Sequence, residues 1–158
     1  MSESRIEDIL RDDSIKAMNL DPVESIPASA RLRDVIAAMQ KKRSSAVVIV
    51  EAERVVGIFT ERDLLNRIVG LALNEDLLIS DVMTSNPRTM SPEDRIADAI
   101  HLMTDRGYRH IPLVDDKGRN VGLLSARHIV EFIAEHYPQE VFNLPSDLDQ
   151  VHRRPEGG

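Results

Sequence analysis

The sequence predicts an α/β protein built from two copies of a β-α-β-β-α unit. Three observations predict it. The chain repeats itself: Gly57-Ile58-Phe59-Thr60-Glu61-Arg62-Asp63 returns as Gly122-Leu123-Leu124-Ser125-Ala126-Arg127-His128, 122 − 57 = 65 residues later. Leu32 to Met39 matches Ile96 to Met103 at 96 − 32 = 64, which places the extra residue in the turn from Asp115 to Asn120. In each copy a run with helical spacing is followed by two short apolar runs and a second helical run. A repeat on this scale predicts two small units that bury a core together better than either does alone.

The elements follow in order. Residues 3–12 read as a short amphipathic helix, and Asp21-Pro22 is a turn signal before the extended piece Val23 to Ile26. Ser29 has the chemistry of an N-cap for a helix whose apolar positions are Leu32, Val35, Ile36 and Met39. Ala46 to Val50 is a buried strand rich in β-branched residues. It turns tightly through Glu51 to Arg54 into a partner strand, Val55 to Phe59. Thr60 and Asp63 have capping-box spacing for a helix carrying Leu64, Leu65, Ile68 and Val69.

The second copy begins with Ile79 to Met83 and the turn Ser85-Asn86-Pro87. Ser91-Pro92-Glu93-Asp94 reads as a helix start, with Pro in the first turn and acidic residues at the positive end of the dipole. Ile96, Ala99, Ile100 and Met103 form that helix's apolar stripe. Ile111 to Val114 and Asn120 to Leu124 are the hairpin. A last helix runs from Ala126 to about Glu135 or His136, where Tyr137-Pro138 stops it. The implied boundaries are an arm over 1–11, repeats over 12–74 and 75–137, and a tail over 138–158 whose end reads as mobile.

Composition narrows the function. The 158 residues are 42% hydrophobic but only 3% aromatic, so the core is built from aliphatic side chains and Met. There is no cysteine, which removes disulfides and cysteine-based zinc sites. A polar, acidic start without an apolar segment points to a cytoplasmic protein that does not engage a membrane. A formal charge of −7 and few stacking aromatics argue against nucleic acid. Lys41-Lys42-Arg43 suits a solvated helix C-terminus or, as the alternative, a locally basic cleft for a small anionic ligand. The five histidines have no familiar metal spacing, and the glycines form neither Gly-x-Gly-x-x-Gly nor a phosphate loop. The sequence therefore reads as non-catalytic.

The run ending in Gly57-Ile58-Phe59-Thr60-Glu61-Arg62-Asp63 resembles the cystathionine-beta-synthase (CBS) domain. Asp81-Val82-Met83-Thr84, Tyr108-Arg109-His110-Ile111-Pro112-Leu113-Val114-Asp115 and the repeat itself resemble it too, so the likeness spans roughly residues 12–136. The resemblance implies tandem domains packed through their sheets about a pseudo-twofold axis, frequent assembly as disc-like homodimers, and regulation by bound adenosine ligands. AMP, ADP or ATP are the ligands expected, ahead of S-adenosylmethionine or NAD, and no other cofactor. With no effector domain attached, such a chain would act through a separate effector protein or its own oligomer.

The resemblance places ribose contacts on Asp63 and Thr60. The chemistry agrees: a carboxylate accepts both hydrogen bonds of a vicinal diol, a hydroxyl one turn earlier reaches ribose or phosphate, and a helix start offers N–H groups to anions. Adenine needs an apolar slot and backbone partners, for which Val23, Ser25 and Ile26 on one side and Ser44, Ser45 and Ala46 on the other are candidates. Basic side chains near phosphate are expected at Arg109 and His110, next to Ile111 and Pro112, and at Arg62 or Arg127. In the second copy Ser125 replaces Thr60 and His128 replaces Asp63, so the two-acceptor grip is absent there. Protonated, His128 would suit phosphate. The expected function is an adenine-nucleotide sensor; the alternative is a ligand-independent interaction or scaffold module.

Overall fold

The structure, a computed structural model, describes residues 10–20, 23–68 and 74–136. The expected N-terminal helix, apart from its last residues, the Val69 position and the C-terminal tail lie outside these. The chain forms two compact units that do not coincide with the two repeats. One comprises 20–92 and 110–124; the other comprises 1–19, 93–109 and 125–158.

The first of these carries the sheets. Strands β1 (Ser25–Pro27), β2 (Ala46–Glu51), β3 (Arg54–Thr60) and β4 (Thr84–Ser85) form one sheet in the order β1-β2-β3-β4. β1 runs parallel to β2 with Ser25 opposite Val48, and β2–β3 is the expected antiparallel hairpin with Ala46 opposite Thr60. Its two-residue turn holds Ala52 and Glu53 at φ 50° and 68°. That is the twist-matched form of hairpin turn, held here at some strain because neither residue is glycine. Strands β5 (His110–Val114) and β6 (Asn120–Ser125) make a separate two-stranded sheet.

Side-chain alternation gives the larger sheet two apolar faces. On one, Ile26, Val47, Ile49 and Phe59 pack with Leu32, Val35 and Met39 of α1 (Leu32–Lys42) and with Ile79 and Val82 of α3 (Ile79–Val82). On the other, Ala46, Val48 and Ile58 pack with Leu123 of β6, and Val23 joins them. Helix α2 (Glu61–Ile68) leaves the end of β3.

In the other unit, α4 (Ile96–Arg106) packs against α5 (Ala126–His136), and Leu10, Ile15, Ile96, Ala99, Ile129 and Phe132 are buried. The tandem β-α-β-β-α order is as the repeat predicts.

Two helix starts differ from expectation. Arg31, not Ser29, is the N-cap of α1, and Arg95 is that of α4, four residues beyond the start of the Ser91-Pro92 signal; neither cap uses a side chain. Remote backbone satisfies the bare N–H groups instead. Leu32 N–H donates to Leu77 O at 2.8 Å and Arg33 N–H to Glu75 O at 3.0 Å, while in the other unit Ile96 N–H donates to Asp13 O at 2.9 Å. The two patterns match across the repeat. Once a carbonyl occupies the site, a capping hydroxyl has no N–H left to bind.

The second repeat's opening strand is also reduced. Ile79 to Val82 is helical, Thr84–Ser85 pairs with Gly57 and Ile58 of β3, and Met90 makes only a single bridge to Leu113. In the first repeat, Ala28 N–H donates to Val50 O at 3.0 Å. The equivalent residue is Pro92, which has no N–H to continue the ladder.

The expected position of the extra residue holds. Glu61 N–H bonds Ser45 O and Ala126 N–H bonds Arg109 O, spans of 61 − 45 = 16 and 126 − 109 = 17. The longer turn is organised by Asp115, whose carboxylate accepts the N–H groups of Lys117 and Arg119 and the Arg119 Nε. The Arg119 N–H above all holds the Asp115 carboxyl below its ordinary range.

The repeated glycines are not equivalent. A Cβ on Gly57 would collide with the Met83 side chain, reaching its Cγ at 2.9 Å and Cε at 3.0 Å; one on Gly122 would meet Leu113 Cδ1 at an ordinary 3.5 Å. Overpacking a tight site costs about 1–3 kcal/mol. Urea unfolding should therefore show Gly57→Ala, which must displace the flexible Met83 side chain, more destabilised than Gly122→Ala, which should lie within about 0.5 kcal/mol of the parent. Equal effects would contradict the packing described.

Candidate functional site

The corner between β3 and α2 is built by reciprocal capping. Asp63 N–H donates to Thr60 Oγ1 at 3.1 Å, and Thr60 N–H donates to Asp63 Oδ2 at 3.0 Å. This is the box that the Thr60–Asp63 spacing predicts. The next N–H, from Glu61, goes to Ser45 O at 2.9 Å, which ties the corner to the start of β2. The other carboxylate oxygen, Oδ1, receives the hydroxyl of exposed Thr84 at 3.4 Å, a long contact. Asp63 is half-buried at a helix N-terminus, with one oxygen firmly used and the other loosely held.

The remaining first-repeat candidates divide by face. Val23 and Ala46 belong to the apolar face shared with Leu123, whereas Ile26 is buried on the helix side of the same sheet. Ser25, opposite Val48, lies on the Leu123 side, and its Oγ receives Asn120 Nδ2 at 2.8 Å. Ser44 turns its hydroxyl onto Ala46 O at 2.6 Å and so closes its own loop. Ser45 Oγ lies 3.1 Å from His110 Nε2. Ile111 and Pro112 are fully buried core residues, with the Pro112 carbonyl taken by Met90 N–H. Arg62 is exposed on α2. One compact unit thus brings together Asp63, Thr60, Val23, Ser25, Ser44, Ser45, Ala46 and His110.

Arg109, Ser125, Arg127 and His128 belong to the other unit. There the same box is rebuilt around an imidazole. Ser125 N–H lies 3.0 Å from His128 Nδ1, Ser125 Oγ lies 2.9 Å from that nitrogen, and His128 N–H donates to Ser125 Oγ at 3.2 Å. A backbone N–H only donates, so Nδ1 carries the lone pair and the neutral ring carries its proton on Nε2. Histidine thus keeps the cap without offering a pair of acceptors. Arg109 presents its carbonyl to Ala126 N–H, and exposed Arg127 pairs with Glu131 at 3.5 Å.

Sequence reasoning assigned no role to Thr84 or Asn120. Thr84 reaches Asp63 through the β3–β4 pairing, and Asn120 reaches Ser25 across 95 residues. No local spacing announces either contact.

The capping description has a direct test. Thr60→Ala should cost about 1 kcal/mol in urea unfolding, because Asp63 N–H loses its acceptor, while Thr60→Ser should remain near the parent. Equal loss in both would mean that the Thr60 methyl, not its hydroxyl, matters.

Among the described residues no cluster of three His, Asp or Glu side chains is placed to hold a metal ion, and no helix is long and apolar enough to cross a membrane. The CBS-domain profile matches residues 6–70 and 79–135. The CBS domain-containing protein CBSCBSPB3 of Arabidopsis thaliana is 35% identical over 134 residues, covering 82% of this chain and 22% of that protein. The mitochondrial protein CBSX3 of the same plant is 32% identical over 117 residues, covering 70% of this chain and 56% of that protein. The chain spans about half the length, or less, of such curated relatives. Among solved structures, a CBS domain protein from Pyrobaculum aerophilum complexed with AMP superposes with a TM-score of 0.69 at 27% identity, over 78% of this chain and 99% of that one. The doubled hairpin-to-helix corner, the repeat and these matches lead to one conclusion: the chain belongs to the CBS-domain family.

Proposed function

We propose that this protein is a regulatory module that binds an adenine nucleotide, AMP, ADP or ATP, at the first-repeat corner. The observation that carries the proposal is the state of Asp63. A ribose diol needs two acceptors on one rigid carboxylate. Asp63 is fixed by Thr60 at Oδ2 and carries only a long hydroxyl contact at Oδ1, so a diol displaces Thr84 and leaves the fold intact. The AMP complex of the Pyrobaculum aerophilum relative supports the same ligand class.

The second corner is not an equivalent diol site, since His128 spends its lone pair on the Ser125 N–H. The stoichiometry is therefore one nucleotide per chain. Occupancy is read by an effector protein or by a second copy of the chain. Leu65 on α2 and Val130 on α5 occupy equivalent repeat positions and are 64% and 65% exposed, and each is the kind of apolar side chain a homodimer would cover.

Isothermal titration of nucleotide-stripped protein with AMP, ADP and ATP, repeated on Asp63→Asn, tests this. Asparagine keeps one carbonyl oxygen for the Thr60 N–H but loses the second acceptor and the charge. The parent should bind near one site per chain, and the variant should melt like the parent yet bind at least about 10-fold more weakly. Unchanged affinity would remove Asp63 from the site. No binding by folded parent protein would favour an interaction module.

A further inference from the structure

We infer that the second-repeat corner is an acid-sensitive helix cap: protonation of the His128 ring removes the acceptor that holds the start of α5. Ser125 N–H, an obligate donor, lies 3.0 Å from His128 Nδ1, so the cap exists only while that nitrogen keeps its lone pair. An imidazolium carries N–H on both ring nitrogens, and no rotation of the ring then restores an acceptor. Ser125 Oγ lies 2.9 Å from Nδ1 and can accept from the protonated ring while it still receives His128 N–H at 3.2 Å. The ring therefore stays at the corner, but Ser125 N–H and Nδ1–H become two donors facing each other, and the backbone group loses its partner.

The added charge meets a second penalty. It lies in the first turn of α5, at the positive end of the helix dipole, where a cation is disfavoured. The first turn of α2 carries Glu61 and Asp63, whereas that of α5 has no acidic residue to offset the charge. Charged and titratable groups on the packed elements are of both signs. They are Arg109 ahead of β5, whose carbonyl holds Ala126 N–H, the Arg127–Glu131 pair on α5 itself, and Asp98, His101, Asp105 and Arg106 on α4, which packs against α5. All are exposed and screened by solvent, whereas the Nδ1 contact is half-buried. The unfolded chain takes up the proton at an imidazole's ordinary value of about 6.5, and the folded corner resists it. Stability from the cap is then complete above about pH 7 and falls as the pH drops through that range. The exchange that withdraws diol chemistry from the second corner installs a proton response in its place.

Urea unfolding of the full chain between about pH 7.5 and about pH 5.5, in the parent, His128→Asn and His128→Asp, tests this. Asparagine offers Ser125 N–H a carbonyl oxygen that does not titrate, and aspartate offers one that titrates near about 4, below the range. His101, His110, His136 and His152 are common to all three proteins, so the difference between them reports His128. Over this fall in pH the unfolding equilibrium constant should rise at least about 3-fold more in the parent than in either variant. In nuclear magnetic resonance of the parent, the Ser125 amide signal should follow the titration of the His128 ring, and the neutral ring should carry its proton on Nε2. That titration decides the matter even where a variant does not fold. Equal pH dependence in the three proteins, or a His128 ring that protonates as readily as free imidazole, would overturn the inference.

Discussion

Backbone N–H groups at the starts of helices must find acceptors, and this chain's architecture depends on where they find them. At α1 and α4 the acceptors are carbonyls from the start of the opposite repeat: Leu77 serves Leu32, and Asp13 serves Ile96. At α2 and α5 the N–H groups of Thr60 and Ser125, which open the corners, go to side chains three residues ahead, Asp63 and His128, while those of Glu61 and Ala126 go to the carbonyls of Ser45 and Arg109. The remote pairs interleave the two repeats, so the compact units do not coincide with the sequence repeats. The local pairs create the corners where chemistry is available. One requirement, met in two ways, separates the structural helix starts from the candidate functional one.

That separation explains what could be read from the sequence. The repeat, both hairpins and the Thr60–Asp63 box were legible because each is a matter of short spacing and side-chain period. Ser29 and Ser91-Pro92 misled because their capping chemistry is sound but the N–H groups they would serve already have backbone partners. Among the residues grouped with the site, Ile26, Ala46, Ile111 and Pro112 are buried. A short apolar strand does not reveal which of its faces meets a helix and which meets a second sheet. Thr84 and Asn120 were silent because their partners, Asp63 and Ser25, are distant in sequence; Thr84 comes near through the β3–β4 pairing and Asn120 from the separate β5–β6 sheet.

The two corners show how a duplicated motif diverges without losing its fold. Capping needs one acceptor for one N–H, and carboxylate and neutral imidazole both provide it. Binding a diol needs two acceptors on one group, and only the carboxylate provides that. Exchange of Asp for His therefore preserves a contribution of about 1 kcal/mol to helix stability while withdrawing ligand chemistry. The second repeat keeps a place in the first repeat's site by other means, through Leu123 on the shared apolar face, His110 beside Ser45 and Asn120 on Ser25. The candidate first-repeat site in this sense draws residues from both copies.

The central claim is that the Asp63 carboxylate recognises the ribose diol. The most direct measurement is the affinity of the parent protein for AMP against 2′,3′-dideoxyadenosine monophosphate, which keeps base and phosphate and lacks only the diol. The account predicts at least about a 10-fold loss for the dideoxy ligand, the consequence of losing two hydrogen bonds to a charged acceptor. Equal affinity for the two would contradict it and place the carboxylate outside the recognition site.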